Sequence, residues 1–145
     1  MIAIGCDHGG VELKKEILKY LDAKGIEYND FSASVESGVS VDYPIYGKMV
    51  AEAVANGEAE KGILVCGTGL GMMLCANKTE GVRAICTNDS YSVKFSRLHN
   101  NANVITFGGR TMGVEAVLYN LEIFLTTEFE GGRHQRRVEL YDKIL

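Results

Sequence analysis

The chain has 145 residues, of which 46% are hydrophobic and 23% charged. These fractions are typical of a globular domain, and they exclude disordered and collagen-like classes. A chain of this length closes one core without disulfides or metals, so we expect a single domain over residues 1–145. The 19 acidic residues outnumber the 15 lysines and arginines, and the resulting net negative charge argues against nucleic acid or a membrane surface as a partner.

Short β-branched runs alternate with longer segments of helical period, which is the pattern of an α/β domain with a parallel sheet. The predicted strands are each apolar enough to be covered on both faces. They span Ile2–Gly5, Ile26–Phe31, Gly62–Cys66, Arg83–Cys86 and Val104–Phe107. We therefore expect a three-layer α/β/α Rossmann-like fold with a five-stranded parallel sheet.

Helical segments separate the predicted strands and extend beyond the last one. They cover Val11–Lys24, Ile45–Asn56, a stretch from Leu70, Ser90–His99, Gly113–Leu125 and a charged C-terminal tail, Arg133–Leu145. Gly25 stands where a glycine commonly follows a helix, and Pro44 precedes the second helix. The longest irregular segment, Ser32–Tyr43, is either a plain connection or a functional loop.

The cysteines and histidines indicate neither disulfides nor a metal site. They are Cys6, Cys66, Cys75 and Cys86, and His8, His99 and His134. The cysteines form no Cys-x-x-Cys pair, and no apolar run approaches the ~20 residues of a membrane helix, so we expect a cytoplasmic protein with reduced thiols. The histidines are far apart in the sequence, with no cysteine or carboxylate at a usual ligand spacing.

Polar and glycine-rich segments follow four predicted strands at their carboxyl ends, where ligands of open parallel sheets bind. These segments are Asp7–Gly10, Cys66–Gly71, Thr87–Asp89 and Gly108–Arg110. If the first and third strands are neighbours in the sheet, the first two segments face each other.

The segment Cys66–Gly71 carries the strongest functional signal. Its alternate glycines let backbone amides approach a negatively charged group. The partial positive charge of these amides also favours a thiolate at Cys66, which would then act as a base or nucleophile. Alternatively, a cysteine at a strand end commonly just fills the core. Thr68 either donates a hydroxyl to a ligand or caps the next helix. The spacing matches neither the dinucleotide fingerprint nor the P-loop.

A second candidate site lies in the C-terminal tail. Arg133 and Arg137 are four residues apart, so they share a helix face and suit a phosphate. A solvated basic run is the alternative explanation for this pair. His8, in a glycine-flanked loop, and His99, at the end of a helix, are each compatible with a functional or a structural role.

Seven segments together resemble the type B ribose-5-phosphate isomerases and the related galactose-6-phosphate isomerase subunits. The segments are Gly5–His8, Val41–Pro44, Gly62–Met72, Ala76–Lys78, Asn88–Ser92, His99–Val104 and Glu128–His134. They occur in order over nearly the whole chain, and their combination is far more specific than any one of them.

The resemblance implies a cofactor-independent, metal-free aldose–ketose isomerase that interconverts D-ribose 5-phosphate and D-ribulose 5-phosphate through an enediolate. It implies that Cys66 moves the proton between C1 and C2, that Thr68 assists, and that His99 opens the furanose ring. The other implied contacts hold the enediolate (Gly67, Gly69, Leu70 and Gly71), the phosphate (His8, Arg133 and Arg137) and the sugar (Asp7, Tyr43, Asn100 and Arg110). It also implies a homodimer or homotetramer with a pocket shared between subunits.

Two other functions stay open. Phe31–Ser34 stands where related proteins usually carry a glycine, and the loop that follows is slightly longer than usual. A six-carbon substrate such as allose or galactose 6-phosphate is therefore an alternative. A non-catalytic nucleotide-binding module is the other, and the missing dinucleotide fingerprint argues against it.

Overall fold

The computed structural model describes residues 1–144, which form five strands and six helices. The strands are β1 (Ile2–Cys6), β2 (Tyr28–Asp30), β3 (Lys61–Cys66), β4 (Ala84–Cys86) and β5 (Val104–Gly108). The helices are α1 (Val11–Ala23), α2 (Tyr43–Ala55), α3 (Leu70–Ala76), α4 (Ser90–Leu98), α5 (Val114–Thr126) and α6 (Arg133–Asp142). Within this described part of the chain, no helix is long and apolar enough to cross a membrane.

The strands form one parallel sheet in the order β2-β1-β3-β5-β4, which confirms the predicted α/β fold class. β1 and β3 are neighbours, and Cys6 is in register with Val65. The chain leaves β1 toward one edge of the sheet and leaves β3 toward the other. Ligands of such sheets bind where the strand order reverses in this way. The segments after β1 and β3 therefore line one crevice at the carboxyl edge.

An apolar core lies on each face of the sheet. On one face, Ile17 of α1 and Phe124 of α5 pack in a cluster with Ile63. On the other face, Val50 of α2 and Met72 of α3 pack in a second cluster with Leu64 and other strand residues. Strands covered on both faces need apolar residues at successive positions, which explains the continuous apolar runs seen in the sequence.

Several element boundaries differ from the predicted ones. β2 begins at Tyr28 and not at Ile26, because it is an edge strand that pairs only with the first part of β1. α2 already begins at Tyr43, so Pro44 lies in its first turn, where a missing N–H costs nothing. α6 ends at Asp142, and the predicted end of the tail, Leu145, lies outside the described residues.

A buried ion pair fastens the long loop after β2 to the sheet. Lys14 Nζ lies 2.9 Å from Asp30 Oδ2, and the two side chains are only 6% and 14% exposed. Lys14 also donates to the carbonyl oxygen of Ser32 at 3.0 Å. The buried Ser32 hydroxyl accepts from the Cys6 N–H at 2.8 Å. These contacts fix both ends of the segment between β1 and α1, which borders the crevice.

We expect Lys14→Met to lower the free energy of unfolding by about 3 kcal/mol, because it removes the counter-charge of the largely buried Asp30 carboxylate. Lys15→Met is the matched control on the same helix. The Lys15 side chain is 58% exposed and pairs only with Glu12 at 3.3 Å, so its loss is expected to cost less than about 1 kcal/mol. Urea unfolding of the two variants measures this difference, and equal losses would contradict it.

Candidate active site

Cys66 lies at the carboxyl end of β3, buried at the base of the crevice. The Gly69 N–H donates to Cys66 Sγ at 3.1 Å. Gly69 has a φ of +82°, and a Cβ at this position would lie 2.8 Å from Cys86 Sγ. Only glycine therefore allows the chain to turn so tightly over the sulfur. A backbone donor aimed at sulfur stabilises the thiolate, which is the form that can act as a base.

Three other chain segments approach the loop that follows Cys66. Gly9 and Gly67 are so close that a Cβ on Gly9 would lie 3.2 Å from the Gly67 nitrogen. A Cβ on Gly67 would lie 3.2 Å from Arg110 Nη1, and one on Gly71 would lie 2.7 Å from the Tyr43 ring. The structure therefore brings the segment between β1 and α1, together with Tyr43 and Arg110, to the loop that follows Cys66.

Asp7 and His8 occupy the segment between β1 and α1. Asp7 is buried, and its Oδ1 accepts from the Gly9 N–H at 2.8 Å. The Val41 N–H donates to His8 Nδ1 at 3.2 Å, which ties the long loop to this segment. Since Nδ1 accepts, the neutral His8 ring carries its proton on Nε2 and can donate it to an anionic group.

Two of the amides implied for enediolate binding have partners inside the loop itself. The Gly69 N–H donates to Cys66 Sγ, and the Leu70 N–H donates to Thr68 Oγ1 at 3.3 Å. Thr68 is exposed at the mouth of the crevice, so rotation of its side chain frees the Leu70 N–H for a ligand oxygen. The loop is therefore ready to exchange one internal hydrogen bond for one to a bound anion.

His99 and Asn100 lie at the opposite edge of the sheet from Cys66. α4 runs back from the carboxyl edge, so His99 at its end sits just before β5 begins at Val104. Cys66 is in register with Gly108, at the other end of β5. The start of β5 beside His99 and the end of β5 beside Cys66 are four residues apart, which is about 13 Å along the strand. One chain therefore does not bring the implied base and the implied ring-opening group together.

Around His99 the structure assembles a second group of side chains. The His99 ring stacks on His134 with centroids 3.9 Å apart and an interplanar angle of 14°. Glu130 Oε2 lies 3.8 Å from His99 Nε2 and 3.6 Å from His134 Nε2. Burial and the positive charges of His99 and Arg133 hold the pKa of His134 below its usual value. His134 is therefore uncharged at neutral pH.

Arg133 and Arg137 lie in α6 beside this histidine pair. Both are exposed, and they share a helix face as their spacing predicted. Their positive charges also act on His134. A phosphate held by these two arginines lies next to His99 and far from the Cys66 of the same chain.

A buried arginine, Arg97, shapes the turn after α4 and was not among the residues predicted from the sequence. Arg97 donates from Nη1 to Asn101 Oδ1 at 3.1 Å and to the Ala102 carbonyl oxygen at 2.6 Å. Asn101 has a φ of +49°, a left-handed conformation that asparagine tolerates better than most residues. Arg97 thereby fixes the backbone that carries His99. Arg97 lies one helical turn after the apolar Val93, on the same face of α4, and this spacing was the available sequence signal for its burial.

The chain resembles known proteins over nearly its whole length. Residues 2–141 match the family model described as Ribose/Galactose Isomerase. The chain is 46% identical over 143 residues to ribose-5-phosphate isomerase B of Escherichia coli (strain K12). This alignment covers 99% of the chain and 95% of the relative.

Solved structures give the same result. Ribose-5-phosphate isomerase B of Clostridium thermocellum matches with a TM-score of 0.94 and 45% identity, covering 99% of this chain and 95% of that one. The Mycoplasma genitalium enzyme of the same name, solved with bound ribulose-5-phosphate, matches with a TM-score of 0.91 and 35% identity, covering 99% and 94%. The family signature, the sequence identity and the shared fold thus extend over nearly the full length, and the chain belongs to the ribose/galactose isomerase family.

Proposed function

We propose that the chain interconverts D-ribose 5-phosphate and D-ribulose 5-phosphate through an enediolate. The observation that carries this proposal is the Cys66 sulfur, buried beneath the Gly69 N–H where the strand order reverses. Relatives over the full length of the chain bear the name ribose-5-phosphate isomerase B, and one structure with that name holds ribulose-5-phosphate.

Cys66 supplies the base for this reaction. Its thiolate takes the proton from C2 of the open-chain aldose, and negative charge develops on the carbonyl oxygen at C1. A proton then passes from the oxygen on C2 to the oxygen on C1, and the thiol returns its proton to C1, which gives the ketose. A thiolate held in position is a workable general base for such transfers.

The loop 67–71 and Thr68 stabilise the charge that develops on the sugar oxygens. Backbone N–H groups in fixed positions are worth most where charge appears during the reaction, and losing one donor of this kind typically costs about 2.7–4 kcal/mol. The Thr68 hydroxyl lies in the same loop and accepts from Leu70, so it can exchange that contact for one to the substrate.

The remaining side chains orient the sugar phosphate. We assign the hydroxyl groups of the sugar to Asp7, Tyr43, Asn100 and Arg110, and the phosphate to His8, Arg133 and Arg137. A fixed phosphate holds C1 and C2 against the base, which turns remote binding energy into orientation at the reacting carbons.

We further propose that each active site is shared between two copies of the chain in a homodimer. Cys66 and His99 act on the same sugar but lie at opposite edges of the sheet of one protomer, so His99 must come from the partner. Exposed apolar side chains near the crevice offer a surface for that contact. They are Ile45 and Met49 of α2, and Leu70 and Leu74 of α3.

The cysteines are free thiols, in keeping with a cytoplasmic enzyme.

Within the departure at Phe31–Ser34, the buried Ser32 gives no reason to expect a longer sugar. Ser32 is fully buried and hydrogen-bonded to Cys6 and Lys14. It lies within an internal polar cluster and does not line an open pocket. We therefore favour a five-carbon substrate.

Turnover of ribose 5-phosphate compared with allose 6-phosphate and galactose 6-phosphate tests the proposal. We expect kcat/KM for ribose 5-phosphate to be higher by about 10–200-fold, since one extra carbon unit in a fitted pocket is worth about 1–3 kcal/mol. A preference for a hexose phosphate would move the assignment to the six-carbon sugar. Binding of NAD or ATP without isomerisation of any sugar phosphate would favour a nucleotide-binding module.

A further inference from the structure

Three side chains of metal-ligand type converge beyond the end of α4, although the sequence predicted no metal site. One donor atom from each of His99, Glu130 and His134 lies within 4.8 Å of the others. The distance of His99 along the chain from Glu130 and His134 hid the cluster. The Glu130 N–H donates to the Leu98 carbonyl oxygen at 3.1 Å, which fastens the segment before α6 onto the end of α4.

The spacing of the cluster is close to that of a ligating set. With bonds of ~2.0–2.2 Å, neighbouring donors of a tetrahedral zinc ion lie about 3.4 Å apart. Glu130 Oε2 is 3.6 Å from His134 Nε2 and 3.8 Å from His99 Nε2. These separations are also too long for hydrogen bonds, so the carboxylate is held near both rings without being used by either.

We propose that His99, Glu130 and His134 bind a divalent transition metal ion, zinc foremost, and that the bound ion withdraws His99 from sugar-ring opening. Two histidines and one glutamate form a donor set that open zinc sites use, with water in the fourth position. The inhibitory half of this proposal rests on the proposed function, whereas the binding half does not.

Binding requires one imidazole to turn. The rings lie 14° from parallel, and an ion must lie close to the plane of each ring that ligates it. The His134 side chain is 7% exposed and the His99 side chain is 35% exposed, so His99 is the ring that rotates. The rotation breaks its stack on His134, and it also places His99 out of position for a substrate.

Charge around the cluster sets the strength of binding. Arg133 and Arg137 lie on the same helix as His134 and repel a cation, while the Glu130 carboxylate attracts it. The ion therefore binds more weakly than in a dedicated zinc protein. Bound sugar phosphate excludes the ion, because His99 cannot ligate a metal and act on the sugar at the same time.

Titration of the metal-free protein with Co²⁺, which reports on zinc sites through visible absorption, tests the binding. We expect a saturable tetrahedral cobalt band without thiolate charge transfer, and the same band in Cys66→Ala protein. Glu130→Gln is expected to weaken binding at least about tenfold, since one of three protein donors is lost. The matched control is Glu139→Gln in α6, the helix that carries His134. The Glu139 carboxylate accepts from Gln135 at 2.8 Å, and its replacement is expected to leave the affinity unchanged.

Absence of the band, or its disappearance in Cys66→Ala protein, would overturn the site. In the activity assay we expect Zn²⁺ to inhibit the wild-type enzyme reversibly, with EDTA restoring turnover and Glu130→Gln shifting the inhibitory concentration as it shifts Co²⁺ affinity. Binding without inhibition would refute the inhibitory half. Wild-type protein inactive before zinc is added would instead refute the proposed function and leave the cobalt result standing.

Discussion

Replacement of Cys66 by alanine is expected to lower kcat for ribose 5-phosphate by about 10²–10⁴-fold, the range that a lost general base typically produces. The sulfur is buried under the Gly69 N–H, and its replacement by a methyl group removes the only group at the base of the crevice that we assign to proton abstraction. Sugar phosphate is still expected to bind, since the side chains assigned to the phosphate and hydroxyls are unchanged.

Exchange of the C2 proton in D₂O measures this prediction more directly than overall turnover. Wild-type protein is expected to incorporate deuterium from solvent at C2 of ribose 5-phosphate, and Cys66→Ala protein to show no such exchange, while both bind the compound with similar affinity. Exchange that persists in the variant would remove Cys66 as the base.

Cys75→Ala is the matched control. Burial raises the pKa of the Cys75 thiol, so this group stays protonated at neutral pH, and its Sγ donates to the Pro44 carbonyl oxygen at 3.5 Å. Burial likewise raises the pKa of the Cys6 thiol. Neither sulfur resembles Cys66, which accepts from a backbone N–H at the crevice. We expect Cys75→Ala to retain wild-type exchange at C2.

Local sequence was sufficient to predict the strand end and the loop around Cys66. The apolar run of β3 and the alternate glycines after it are contiguous, and together they define a strand end followed by a tight glycine-rich loop. Arg110 follows from the same rule, because carboxyl ends of parallel strands meet at one edge of the sheet. Tyr43 was implied only by the family resemblance. The strand order β2-β1-β3 supplied what spacing could not give.

Contacts between residues distant in sequence were beyond prediction. In the sequence, Lys14 is one of several charged residues on an amphipathic helix, and only the fold shows that it lies buried against Asp30. The pairing of His99 with His134 depends on where the chain returns after α5. Such contacts have no periodicity or spacing of their own, so a single sequence carries no signal for them.

The separation of Cys66 from His99 also could not be predicted from residue types, because it follows from the direction in which α4 runs. That separation makes the shared site testable. We expect a one-to-one mixture of Cys66→Ala and His99→Asn protomers, unfolded and refolded together, to isomerise ribose 5-phosphate well above the activity of either variant by itself.

The expected recovery follows from the symmetry of the proposed dimer. A mixed dimer has one site with both defects and one site with neither. Random pairing makes half of the dimers mixed and leaves half of their sites intact, so about one quarter of wild-type activity returns. His99→Asn homodimers are expected to lose more activity toward ribose 5-phosphate than toward ribulose 5-phosphate, because only the aldose closes into a furanose ring that must be opened.

A mixture of His99→Asn protomers with protomers carrying both substitutions serves as the control. Every site in that mixture lacks His99, and half of the sites also lack Cys66, so refolding together is expected to restore nothing. Recovery in the first mixture and none in the second places Cys66 and His99 in one site contributed by two chains. An activity equal to the mean of the two parent variants would mean that each chain works without its partner, although His99 and Cys66 lie at opposite edges of its sheet.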